Sequence, residues 1–436
     1  MLRMKNALCA LALCALAGCI QVPPVPDMSG GVMLTPASPP SATVPFRLDD
    51  NRIFVEVTFI RPDGTERKAL AFVNQGQGGL TISNALFREL DPQAGKPLHM
   101  KFGVLDIAVD GASVLPESLS NFIAIGLNPF SAPPTPKQAA QRPGGFMAEY
   151  SAPLLVEAVI PPGLLQHFQA VFDYGARTMT LAAPGTLKPQ GVAVPVRVNP
   201  LTGFAVVDAT IDGAPHRLVI DNGGSYSALR STQALVAAHP DWLRARGGIG
   251  EANLTMQSVE AGVPVVKARD VALGDLKLDE LGVIEMGNAS SGFLTKMVSD
   301  LFWERVYSAK AGEDVDGWLA GNVLKSFRLT IDYPNRMSYW LQQAPLDIHD
   351  LDQVGLTLAR EKGITTIAGI AQKNGADTVS GIAVGDTLLK IDGRDTPAMT
   401  RGELLAALHG KPGEMRHLTL ERDGKPFEID APVTGF

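Results

Sequence analysis

Residues 164–181, LLQHFQAVFDYGARTMTL, and residues 323–341, VLKSFRLTIDYPNRMSYWL, read alike. In each, an apolar run reaches Asp-Tyr, turns through an arginine and starts a second apolar run. Phe168 matches Phe327, Asp173 matches Asp332, Tyr174 matches Tyr333 and Arg177 matches Arg336, every pair 159 positions apart. Agreement at one fixed offset marks an internal duplication. The pattern predicts strand, turn, strand in both copies.

The repeat extends backwards. VEVTFIRPDGTERKALAFVNQGQGGLTIS (55–83) parallels AVVDATIDGAPHRLVIDNGGSYSALR (205–230). Each predicts a hairpin closed by Asp-Gly (Asp63-Gly64; Asp212-Gly213), followed by a Gly-rich turn. Leu218-Val219-Ile220 reads as a buried strand ending at Asp221, and Asn222-Gly223-Gly224 forces a tight turn. The alignment sets Asn74 opposite Asp221 at an offset of 147, so the second copy holds about a dozen more residues between its landmarks. A carboxylate at the end of an apolar strand is costly unless it is hydrogen-bonded or used. Asp221 is therefore either an Asx-turn residue closing a loop or a group with a chemical task. Two β-rich lobes are expected, over 46–185 and 196–343.

The chain has 436 residues, 45% of them hydrophobic and 19% charged, with a net charge of −7. That is the composition of a globular protein of two or three domains, and without a block of like charge it gives no reason to expect nucleic-acid binding. Arg3 and Lys5 precede a twelve-residue run of small and apolar residues, Ala7 to Gly18, too short to span a bilayer. The run ends in Leu16-Ala17-Gly18-Cys19, which resembles a bacterial lipoprotein signal. That resemblance implies removal of residues 1–18, acylation of Cys19 and a place in the bacterial cell envelope. Ile20 after the cysteine, rather than aspartate, points to the periplasmic face of the outer membrane. Cys9 and Cys14 would leave with the leader, so no disulfide or thiolate site is expected. The Pro-rich stretch 19–45 reads as a spacer, and a second one, 128–146, as an exposed loop.

Other chemistries find little support. His99, His167, His216, His239, His349, His409 and His417 are scattered without metal-ligand spacing, so neither metal nor cofactor is expected. Ser225 and Ser227 lack a Gly-x-Ser-x-Gly elbow, and Gly76-Gln77-Gly78-Gly79 and Gly247-Gly248-Ile249-Gly250 complete no phosphate-binding pattern. Trp303 and Trp318 read as core residues or as lining of a cleft.

Residues 347–436 differ in character. Gly381-Ile382-Ala383-Val384-Gly385-Asp386, followed by Leu388, Ile391, Asp392 and Gly393, resembles the bacterial type of PDZ domain. In that family a strand-edge groove captures peptide by β-addition and backbone N–H groups hold a terminal carboxylate. The matching loop is Val354-Gly355-Leu356-Thr357. A PDZ fold that only docks against the lobes is the alternative.

The doubled lobe, with an apolar strand running into a Gly turn in each copy, resembles the pepsin and retropepsin aspartic-protease superfamily. In the second copy Asp221-Asn222-Gly223 stands at the family's Asp-Thr/Ser-Gly, and Asp316-Gly317-Trp318-Leu319-Ala320-Gly321 at its apolar-apolar-Gly segment. The resemblance implies a mainly β fold, with bilobal barrel-like lobes and a small α+β PDZ domain. It also implies a peptide-binding cleft floored by Asp221. The family's chemistry needs two aspartates sharing one proton. The first copy instead has Asn74-Gln75-Gly76, and Leu155-Val156 is followed by Glu157 where glycine is expected. An amide does not cycle protons near neutral pH. Gln75 and Asn222 replace hydroxyl residues that bond across the lobes, and both amides are expected to bond across in their place. Whether the chain is an enzyme stays open between a non-catalytic binder of cell-envelope peptides or proteins and an endopeptidase centred on Asp221. In the latter, two second lobes of a homodimer could pair two copies of Asp221.

Overall fold

A computed structural model describes residues 27, 31–36, 38–77, 79–117, 153–239, 244–246, 264–285, 302–361 and 363–435. Cys19, the leader, the stretch 128–146 and Gly247–Gly250 lie outside the described residues. The molecule is mainly β, with two barrel-like halves and a smaller α+β unit at the C-terminus. Among the described residues no helix is long and apolar enough to cross a membrane.

The halves are joined by the repeated motif itself. Strand Gln169–Asp173 pairs antiparallel with Phe327–Asp332, and Val171 faces Thr330. Those two residues stand 159 positions apart, so the register maps onto itself when the copies exchange. On the flanks Thr178–Ala182 and Met337–Gln342 continue the sheet, followed by Ser41–Asp49 and Val192–Pro195. Alternation drives these strands: Phe327, Leu329 and Ile331 are fully buried, and the Phe327 ring meets Trp340 edge-on at 5.4 Å.

The Pro-rich segment is corrected in part. Within 19–45, residues Met33–Leu34 and Ser41–Pro45 are strand rather than spacer. Ala42, Val44 and Phe46 alternate inward. Pro45 sits where Ser41–Asp49 changes partner, from Thr178–Ala182 to Arg52–Ile60, a position that tolerates the missing N–H.

Each half repeats one crossed arrangement. Strand Glu66–Val73 pairs antiparallel with Arg52–Ile60 and parallel with Val156–Ile160, which pairs antiparallel with Leu80–Ile82. In the second half, Ala214–Ile220 pairs antiparallel with Ala205–Ile211 and parallel with Gly317–Leu319, which pairs antiparallel with Ser227–Leu229. The inserted parallel strand fixes the turn: Asn74 N–H donates to Ile160 O (3.0 Å), and Asp221 N–H to Leu319 O (2.9 Å). Short helices Pro162–Leu165 and Gly321–Leu324 follow, again 159 apart. These pairings place Pro161 at the counterpart of Ala320. Glu157, expected there, lies four residues earlier and instead holds Arg67 through two bonds of 2.7 and 2.9 Å.

The C-terminal unit is a six-stranded sheet covered by helix Arg401–Leu408, which a capping box of Thr400 and Glu403 starts. Leu356–Glu361 is a terminal strand of that sheet. The unit is stitched to the second half where Arg244–Arg246 pairs with Gln372–Lys373.

Candidate functional site: two facing turns

Asn74 and Asp221 end equivalent strands and meet at the junction of the halves. Each side chain closes its own Asx turn: Gly76 N–H donates to Asn74 Oδ1 (2.8 Å) and Gly223 N–H to Asp221 Oδ1 (2.9 Å). Each also faces the other half's glycine. A β-carbon on Gly223 would stand 2.1 Å from Asn74 Oδ1 and 3.0 Å from Asp221 Oδ1, and one on Gly76 would stand 2.2 Å from Asp221 Oδ2. Only glycine permits this approach.

The lobes are bonded across at the next residue. Gln75 N–H donates to Asn222 Oδ1 (3.1 Å), and Gln75 Nε2 donates to the Tyr333 hydroxyl (2.7 Å). The counterpart of Tyr333 is Tyr174, whose buried hydroxyl has no partner among the described residues. Asn222 is one methylene shorter than Gln75, and its buried Nδ2 is likewise without a partner.

Asp221 is 2% exposed. Burial pushes its carboxyl above the usual carboxylate range, against the opposing pull of the Gly223 N–H, the Tyr307 hydroxyl and the Gly76 N–H. Tyr307 donates to Asp221 Oδ2 at 3.0 Å. Its ring packs edge-on to Phe204 and Trp303 and tilted on Trp318, all buried. Both tryptophans are therefore core, stacked at 5.4 Å. Sequence reasoning passed over Tyr307. Its signal is the spacing of Trp303 and Tyr307, one helical turn apart, which marks one apolar face.

Beside the two turns, Arg52 is 1% exposed, its Nε donating to Gly223 O at 3.0 Å and its Nη1 to Asp50 at 3.0 Å. Burial raises Asp50 to about 6 against the pull of Arg52 and Arg401, and burial lowers Arg401 to about 9. No group of three or more potential metal ligands occurs among the described residues.

In the C-terminal unit Gly381 (φ 82°), Gly385 (φ 97°) and Gly393 (φ 76°) take left-handed turns, and Arg422 clamps Asp386 at 2.7 Å. A family model for the PDZ domain matches residues 348–421. This segment is a PDZ domain. In it Val354, Gly355, Leu356 and Thr357 lead into the edge strand, and all four are buried. Val354 N–H donates to Leu408 O (3.0 Å) and Leu356 N–H to Val354 O (2.6 Å), so these two expected carboxylate donors are engaged within the chain. Thr357 Oγ1 is buried without a partner among the described residues.

No curated protein matches the sequence. Among solved structures the chain is similar to the aspartic proteinase from Irpex lacteus, with a TM-score of 0.36 and 11% identity over 70% of this chain and 100% of that one.

Proposed function

We propose that the chain is a peptide- or protein-binding protein of the bacterial cell envelope. In this reading its two barrel-like halves are an aspartic-protease-like scaffold without peptidase activity, and its PDZ domain captures peptide. The observation that carries the non-catalytic reading is the hydroxyl of Tyr307 on Asp221 Oδ2, with Asn74 rather than a second acid across the junction. A catalytic aspartate needs a water on that oxygen and a proton donor beside it. Here Tyr307 donates to that oxygen, the carboxyl is buried, and the facing amide does not exchange protons. The PDZ edge strand Leu356–Glu361, which among the described residues pairs only with Ile364–Ile370, offers the backbone to which a peptide strand would add. Acylation at Cys19 would hold the protein at the membrane.

The test is a peptide-library digest from pH 4 to pH 8 with wild type, Asp221→Ala, Asn74→Asp and Tyr307→Phe. Wild type is expected to be inert. Asn74→Asp combined with Tyr307→Phe is the change expected to create cleavage, because it restores the second acid and frees Oδ2. Wild-type cleavage abolished by Asp221→Ala would overturn the reading, and a rate rising with the square of protein concentration would assign the activity to a dimer of second lobes. The anchor is tested separately: Cys19→Ser should move the protein from the membrane to the soluble fraction.

A further inference from the structure

The hairpin turn between strands Ser41–Asp49 and Arg52–Ile60 touches two regions remote from it in sequence. On one side, the Asp49 carboxylate accepts from Thr400 Oγ1 and from Gly402 N–H (3.2 Å). Thr400 is the cap of the PDZ helix Arg401–Leu408, and an anion is favoured at the open N–H groups of a helix start. The approach is tight, since a β-carbon on Gly402 would stand 2.4 Å from Asp50 N. On the other side, Arg52 Nε donates to Gly223 O (3.0 Å), Ser225 Oγ to Asp50 O (2.7 Å) and Asn51 Nδ2 to Ser225 O (3.2 Å). Asp50 and Asn51 have φ of 49° and 59°, the left-handed pair of a two-residue hairpin turn. An ion pair of Arg52 and Asp50, with side chains 2% and 3% exposed, braces it from within.

We propose that this turn is a strut through which docking of the PDZ helix orders the loop that carries Asp221. The turn has little slack. Its backbone is confined to one conformation, and its polar groups reach the helix on one side and the Gly223–Ser225 loop on the other. If the helix leaves, Asp49 loses both donors and water reaches the Asp50–Arg52 pair. The guanidinium that holds Gly223 O then loses its dry, fixed partner. Engagement of the PDZ domain is in this way a condition on the loop that carries Asp221. The coupling goes beyond the reading above and holds whether or not Asp221 cuts peptide.

Amide hydrogen exchange on the full chain tests it. Asp49→Ala removes the link, Gly402→Val wedges the helix off the turn, and Arg47→Ala removes only the exposed 4.0 Å pair with Glu403 on the same helix. The first two variants should speed exchange at residues 401–408 and 222–226 together, by about tenfold or more, while Phe327–Asp332 stays at wild-type protection. Arg47→Ala should change neither. If Asp49→Ala loosens the whole molecule, Asp49→Asn, which keeps the shape and removes the charge, is read in its place. Faster exchange in the helix with 222–226 unchanged would overturn the proposal. So would a helix that stays protected when Asp49 is neutralised.

Discussion

The turns at Asn74 and at Asp221 share one backbone frame and differ in what surrounds it. In both, the side-chain oxygen accepts the N–H two residues on, the strand-end N–H bonds to the inserted parallel strand, and a glycine gives the opposite turn room. An amide oxygen serves that frame as well as a carboxylate does. The second turn adds a tyrosine donor and a buried carboxyl; the first uses a longer amide to reach Tyr333. Building the turn and setting the electrostatics around it are thus separable demands on the same position. The first demand is met twice here.

The comparison breaks most visibly if its glycines are filled. Gly76→Ala and Gly223→Ala each drive a β-carbon into a pinned side chain, and each should cost about 3 kcal/mol in urea unfolding. A benign effect at one position and a large one at the other would end the equivalence. Asn74→Asp makes the turns alike and sets a second carboxylate beside Asp221. Two such groups do not both ionise without cost, so one has its folded pKa raised. Stability is then kept while that proton is bound and lost as pH rises through the raised pKa. The expected deficit is on the order of 2 kcal/mol at pH 8 and smaller at pH 5, read as Tm at the two values.

A third difference lies behind the second turn. Asn322, whose counterpart in the first copy is Gly163, donates to Gly282 O (3.0 Å) and bonds the buried Asp350. Burial raises Asp350 to about 7, against the pull of Lys325. The unfolded value is about 3.9, so the native state binds the extra proton between about pH 4 and pH 7. Stability should be greatest below that window and fall as pH rises through it; Asp50, raised to about 6, adds to the same slope. Asp350→Asn should flatten the decline of Tm from pH 4 to pH 8. The smallest contrast is between two tyrosines. Tyr333→Phe strands the Gln75 amide and should cost about 1 kcal/mol, whereas Tyr174→Phe removes a hydroxyl without a partner among the described residues and should be neutral or slightly stabilising in the same melt.

Much of this was legible in the residues. The offset of 159 carried the strand pairing at the joint, because a duplicated Phe-to-Tyr motif lies on the strands that pair. Asp221 was legible as a strand end because Asn222-Gly223-Gly224 admits few other conformations. The landmark at Pro161 was missed because Glu157 follows an apolar pair that imitates the motif; the offset of 159 maps Ala320 onto Pro161, and the bond from Asn74 N–H to Ile160 O agrees with it. Tyr307 was out of reach for a different reason: a tyrosine 86 positions from Asp221 carries no local sign of its partner. Asp49 is similar. Asp-Asp-Asn between alternating strands signals a hairpin, but its bond to Thr400 spans 351 positions.

The register at the joint has one more consequence. A pairing in which Val171 faces its own counterpart Thr330 is an isologous contact, the kind two identical subunits make about a dyad. Such a contact has no chemical means of telling the second half of its own chain from that of a neighbour. Only the covalent connection, which keeps the two strands at high effective concentration, selects the closed monomer over a domain-swapped pair. The hydrogen bonds of the exchanged form would be the same ones, drawn between different molecules.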